Sequence, residues 1–277
     1  MTEKKVKSKL SALALIAVIL VFALALSLGK VAVNDTKSYS GSGEVSAEDE
    51  NLSANQIIEN YADENGLSTA DYPQSLIDLL DRNKETKDFV LSYPKDKDKH
   101  FKINMKRYEN CDSVPLFMQW DKRWGYKMYG DDVAGLTACG PVCLSMTTVY
   151  LLQDTKYSPD FMIDWAIKNG YCVNGGGSLW TLISEGGRKL GLDVTEIPLD
   201  KNRVMNNLKV GNPIICIMGP GDFTLKGHFI VMTGIENGKI KINDPNSFKN
   251  SNKLWDYDDI YKQINNCLLY TSDAADD

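Results

Sequence analysis

Gly135 to Leu152 reads GLTACGPVCLSMTTVYLL. Small residues lead into Cys139, Gly140 and Pro141, and a mostly apolar run without a helix breaker follows. Proline is favoured at the first helical position, because the N–H it lacks would have no partner there. The pattern predicts a buried helix with Cys139 at its amino end. Unpaired N–H groups and the helix dipole favour negative charge at that end, and the thiolate is the nucleophilic form of cysteine. The position suits a reactive cysteine, although a cysteine that merely packs fits the same stretch. The rest of the chain has to supply a base.

Only two histidines occur in the 277 residues. His100 lies in the mixed-charge run KDKDKHFKINMKR (Lys95–Arg107) and reads as an exposed loop residue. His228 opens the apolar run HFIVMTG, a strand, and Glu236-Asn237-Gly238-Lys239 carries the signal of a two-residue I′ hairpin. The return strand KIKIND ends at Asp244-Pro245. With Glu236 opposite Lys239, an ideal ladder sets Asp244 opposite Val231. His228 and Asp244 then reach one end of the hairpin, but three residues apart and on opposite faces. A bulge or bend at Pro245 is needed to bring the carboxylate round. Cysteine first, histidine far downstream and carboxylate last is the papain order. There the imidazole takes the thiol proton, and the carboxylate holds its tautomer.

The blocks QWDKRWG (Gln119–Gly125), ACGPVCLSM (Ala138–Met146), GHFIVMTG (Gly227–Gly234) and NDPN (Asn243–Asn246) carry a resemblance. Over roughly Val114 to Asn266 the chain resembles cysteine peptidase family thirty-nine, whose best-known members trim double-glycine leaders from bacteriocins. The resemblance implies an α+β, papain-like fold, with a helical part carrying the cysteine and an antiparallel sheet carrying the histidine and aspartate. It implies Cys139 as nucleophile, His228 as base, Asp244 as orienter and Gln119 as oxyanion donor. One departure concerns the glutamine. In the leader-trimming enzymes it lies a few residues before the cysteine, whereas Gln119 lies twenty before Cys139.

The formal charge of −6 and the lack of a basic stripe with interleaved aromatics argue against nucleic acid as a partner. Residues 1–9 form a basic tail with Lys4, Lys5, Lys7 and Lys9. Residues 10–29 carry no charge, and at 1.5 Å per residue they reach about 30 Å, the thickness of a bilayer core. The run is longer than the apolar part of a cleavable signal, and its exit, Leu26-Ser27-Leu28-Gly29, is a poor cleavage site. It reads as a transmembrane signal anchor, with secretion after cleavage as the alternative. Lysines before the span hold the N-terminus in the cytoplasm, so the remainder is expected on the extracytoplasmic side.

Residues 30–52 read as a flexible linker and residues 53–110 as a small helical segment with its connection. Ser53 and Gln56 form a capping box for a helix through Ile57, Ile58 and Tyr61 that stops at Gly66. A second helix covers Gln74–Asp81, and Phe89, Val90 and Leu91 form an apolar anchor onto the main domain, residues 111–266. Occlusion of a site, as by a pro-segment, is the alternative role. Beyond the cysteine helix, the patterns predict helices over Pro159–Ala166, Ser178–Leu190 and Lys201–Val210. They also predict strands over Val194–Ile197 and Pro213–Met218, and a loop at Asn174–Gly177.

Residues 267–277, CLLYTSDAADD, back-translate to the transposase adapter of short-read library preparation. They read as a sequencing scar outside the fold, and removing their three aspartates changes the charge from −6 to −3. Cys143 is expected to pack. Cys111, Cys172 and Cys216 lack a CxxC or histidine pairing, so neither a metal nor a cofactor is expected. An exported chain can form disulfides, but none is assignable. These readings converge on an exported, membrane-anchored cysteine peptidase acting on a peptide or protein, with the cell wall as a further candidate partner. The rivals are a transglutaminase-like amide transferase using the same residues and a catalytically inactive papain-like binding module.

Overall fold

The computed structural model describes residues 51–271. The basic tail, the apolar run of residues 10–29 and nearly all of the linker lie outside the described residues. Among the described residues no helix is long and apolar enough to cross a membrane.

Three helices come first: α1 (Ala54–Asn65), α2 (Gln74–Arg82) and α3 (Lys87–Asp96). The Gln56 N–H donates to Ser53 Oγ at 3.3 Å and the Ser53 N–H donates to Gln56 Oε1 at 3.0 Å, so each side chain satisfies an otherwise orphaned donor. Gly66 ends α1 at φ +63°, a left-handed conformation that glycine adopts without strain. Phe89 of α3 stacks on Tyr126 with ring centroids 4.5 Å apart. A Cβ at Gly125 or Gly135 would lie 2.8 or 2.5 Å from its ring, so both glycines make room for it. These helices therefore share the interior of the main domain.

The cysteine helix, α4 (Cys139–Leu152), is buried all round from Gly140 to Val149, as expected of a helix without a polar face. Pro141 occupies its third position rather than the first. The substitution of place is harmless, because the first four N–H groups of a helix all lack intrahelical partners. Next comes α5 (Pro159–Lys168), opened by Ser158, whose Oγ accepts from the Phe161 N–H at 3.3 Å. The helix expected over Ser178–Leu190 differs. Ser178 bridges to Cys172, and the chain coils only beyond Trp180, as a π-turn over Leu182–Gly186 followed by Gly187–Lys189. Gly186 lies against Trp165 there, and the paired glycines tolerate the wider winding. The last long helix is α6 (Lys201–Lys209).

A short ribbon, β1 (Met128–Tyr129) with β2 (Asp132–Val133), precedes α4. The main sheet is antiparallel, in the order β3-β7-β4-β5-β6. Its strands are β3 (Asp193–Glu196), β4 (Ile214–Met218), β5 (His228–Glu236), β6 (Lys239–Asn243) and β7 (Ile264–Thr271). Alternation sorts the side chains: Ile215, Ile217, Phe229 and Val231 join the core around α4. Ile214, Cys216, Met218, Ile230 and Met232 join a second core with Val204, Leu208 and Trp255. Every residue of β4 is buried, which fits a strand covered on both faces.

One expectation is corrected here. Residues 267–277 read from the sequence as a scar outside the fold, yet β7 runs through Thr271 and fills the gap between β3 and β4. Cys-Leu-Leu-Tyr-Thr is an apolar, strand-forming run. Cys267 pairs with Cys216 across the ladder, with the sulfurs 2.9 Å apart.

Candidate active site

The β5–β6 hairpin decides the geometry. Glu236 pairs with Lys239, and Asn237 and Gly238 have φ of +51° and +76°, as a I′ turn requires. The ideal ladder then breaks. Gly234 pairs with Lys241 but Met232 pairs with Ile242, so Thr233 is a bulge, and Val231 pairs with Asn243. A one-residue slip turns every later side chain to the opposite face. Continuing this register sets Asp244 opposite Ile230, two residues from His228 and on its face. The bulge lies within β5, not at Pro245 as the sequence suggested. Pro245 instead begins a turn in which the Ser247 N–H donates to the Asp244 carbonyl at 3.2 Å.

His228 Nε2 and Asp244 Oδ1 are 2.7 Å apart, and both side chains are buried. Asp244 Oδ1 also accepts from the Asn246 N–H at 2.9 Å, and its Oδ2 accepts from Asn250 Nδ2 at 2.8 Å. Burial alone would lower the His228 pKa. The charge and hydrogen bond of Asp244 outweigh it, and with the Cys139 sulfur beside the ring they raise the pKa from 6.5 to about 10. The folded protein thus holds this proton where the unfolded chain has released it. The pair's contribution to stability is complete below pH 6.5 and is lost as the pH rises through about 10. Thermal unfolding between these limits should therefore show a midpoint that falls with pH, and Asp244→Asn should flatten the fall. An equal slope in both proteins would mean that the pair is not coupled to folding.

Cys139 begins α4 and is partly exposed. Its sulfur lies near enough to the His228 ring to help raise the ring's pKa. Because Nε2 faces Asp244, Nδ1 is the ring nitrogen left for the thiol. One turn on, Cys143 is buried, and its thiol donates to the Phe229 carbonyl at 3.3 Å, which ties α4 to the strand residue after His228. Burial pushes the Cys143 thiol well up, and it also raises Cys111, Cys172 and Cys216. Gly140 permits a close approach of the Asn174–Ser178 loop: a Cβ there would meet Ser178 Oγ at 2.8 Å. Leu179 and Trp180 follow on this rim, 45% and 54% exposed. His100 is exposed in its loop.

Gln119 is buried rather than on the surface. Its N–H donates to the Pro245 carbonyl at 2.7 Å, and its Nε2 donates to the Gly135 carbonyl at 2.8 Å. It is thereby tied both to the residue after Asp244 and to the turn before Cys139, despite the long sequence gap. Gln119 Oε1 and Asn246 Oδ1 are buried acceptors without a partner among the described residues. Gln119, Leu136, His228, Asp244 and the Gly221–Gly227 loop line a cleft of about 1100 Å³, whose other wall is formed by Leu79 and residues 82–85. Among the described residues no cluster of three or more His, Cys, Asp or Glu side chains could hold a metal ion.

Sequence reading missed Asn246, Asn250 and the residues of the α2–α3 connection. Asp-Pro-Asn-Ser is a turn signature in which an aspartate accepts from the N–H two residues on, so Asn246 was legible. Asn250 and the connection were not, because their contacts depend on how distant segments pack.

A family model described as the Peptidase_C39 like family matches residues 111–273. Among solved structures, the chain is similar to the peptidase domain of Streptococcus ComA, a bi-functional ABC transporter involved in a quorum-sensing pathway. The two share 20% identity with a TM-score of 0.39, over 58% of this chain and 99% of that one. No curated protein matches the chain.

Proposed function

The chain belongs to the Peptidase_C39 like family, and from that premise we propose that it is a cysteine peptidase using Cys139, His228, Asp244 and Gln119. The observation that carries this reading is the 2.7 Å contact of His228 Nε2 with Asp244, which leaves Nδ1 for the cysteine at the helix start. The Cys139 thiolate attacks a peptide carbonyl, and the imidazolium of His228 protonates the departing amine. Water, deprotonated by the same ring, then releases the acyl group. Asp244 holds the ring in the required tautomer and balances its charge.

The Cys139 N–H and Gln119 stabilise the oxyanion. One Gln119 amide N–H is committed to the Gly135 carbonyl at 2.8 Å, and the other is available to substrate. Gln119→Ala should lower kcat by about 10²–10³-fold, the usual cost of one oxyanion donor, with folding retained. An unchanged rate would make Gln119 a purely structural tie between the Pro245 and Gly135 carbonyls.

The substrate is a peptide or protein. Placement of the domain outside the cell on a single-pass anchor rests on the uncharged run of residues 10–29 and the lysines before it, with secretion after cleavage as the alternative. The test is to incubate the full chain with a diverse peptide library and a primary amine, then weigh the products. New carboxyl termini mean hydrolysis, and new amides mean transfer to the amine. Absence of any Cys139-dependent product would shift the reading to a binding module, and a domain shielded from protease added to intact cells would remove the external placement.

A further inference from the structure

The family match begins at residue 111, yet residues before it hold the loop that supports Asp244. Phe248–Ser251 forms a short helical turn. From this turn Asn250 Nδ2 donates to Asp244 Oδ2 at 2.8 Å, and Ser251 Oγ accepts from the Asp244 N–H at 2.9 Å. Glu85, between α2 and α3, clamps the start of the same turn. Its Oε2 accepts from the Phe248 N–H and its Oε1 from the Lys249 N–H, each at 2.8 Å. Both carboxylate oxygens are thus held by backbone donors, and the bonds are charge-assisted. Asn83 adds a third tie, donating from Nδ2 to the Asn246 carbonyl at 2.6 Å. Its Oδ1 accepts from the Glu85 N–H at 3.1 Å, which sets the clamp in place.

We infer that Glu85 is a positioning residue for the His228–Asp244 pair, acting through the Phe248–Ser251 turn and Asn250. The α1–α3 segment then contributes to the chemistry through the turn it holds: it keeps Asp244 aimed at the imidazole, and so keeps the imidazole aimed at Cys139. The inference rests on the proposed thiol–imidazole chemistry. It gives the helical segment a supporting role in place of the occluding one that a pro-segment would have.

The test needs no substrate. Alkylation of Cys139 by iodoacetamide is followed by peptide mass spectrometry as a function of pH in the full chain, with thermal unfolding as the control for folding. Wild type should react below pH 7 and His228→Ala should lose this. Glu85→Ala should slow the reaction below pH 7 by roughly ten- to hundredfold, the scale of a misplacement of about 1 Å. Glu85→Gln keeps one strong acceptor and should fall between the two. A folded Glu85→Ala protein with the wild-type profile overturns the inference. Should that variant fail to fold, a folded Glu85→Gln protein with the wild-type profile overturns it instead. Identical profiles for wild type and His228→Ala would sink the thiol–imidazole reading itself, and this inference with it.

Discussion

Cys139→Ala removes peptide turnover while the protein stays folded. The expected loss is on the order of 10⁴-fold or more, since residual catalysis after removal of a nucleophile comes only from binding and the oxyanion hole. No other sulfur can take over. Cys143, the nearest along the helix, is buried against the Phe229 carbonyl, and burial holds its proton on. Stability should change little, because Cys139 is partly exposed at the start of α4 and the substitution keeps the helix intact. Alanine is also a good helix former. The measurement is kcat/KM on whichever peptide the library yields, with the thermal midpoint alongside. Wild-type turnover in the folded variant would place the chemistry on another residue.

His228→Ala should cost a similar factor, and for two reasons that alkylation separates from each other. The variant lacks the acid that protonates the leaving amine, so turnover falls on the order of 10⁴-fold. It also lacks the cation that stabilises a thiolate at Cys139, so alkylation below pH 7 falls as well. The substitution takes from Asp244 its closest partner, at 2.7 Å, and leaves a carboxylate 1% exposed. Removing one partner of a buried pair costs about 3 kcal/mol when nothing else compensates. Here the Asn246 N–H and Asn250 Nδ2 still donate to the carboxylate, so the expected loss is smaller and the fold survives. Turnover that persists in a folded His228→Ala protein would refute the mechanism.

Much of this site was legible from short segments. The apolar helix behind Cys139, the capping box at Ser53, the Asn237-Gly238 turn and the stop at Asp244-Pro245 are each decided by residues a few positions apart. Their hydrogen bonds and backbone conformations form within the segment that specifies them, so propensity and spacing suffice. The cysteine, histidine and aspartate of the proposed chemistry were read from such segments, with their order along the chain. Where local winding competed with packing, the reading slipped. Ser178 bridges to Cys172 instead of opening a helix, and the Gly186-Gly187 stretch coils as a π-turn against Trp165.

The sequence by itself determined that a cysteine at a helix start, a histidine at a strand start and an aspartate at the end of the same hairpin would exist. Only the tertiary structure decided that the histidine and the aspartate meet. The bulge at Thr233 puts Asp244 on the face of His228, and a slip of one residue depends on how both faces of the sheet pack, not on the strand that contains it. Gln119 reaches the cleft because Gly135 and Pro245, far apart in the chain, offer carbonyls on either side of it. Glu85 bonds to a turn 163 residues away. Such contacts form only after the chain has closed its long loops. No spacing in the sequence encodes them, because the energy that selects them is shared among many packed neighbours.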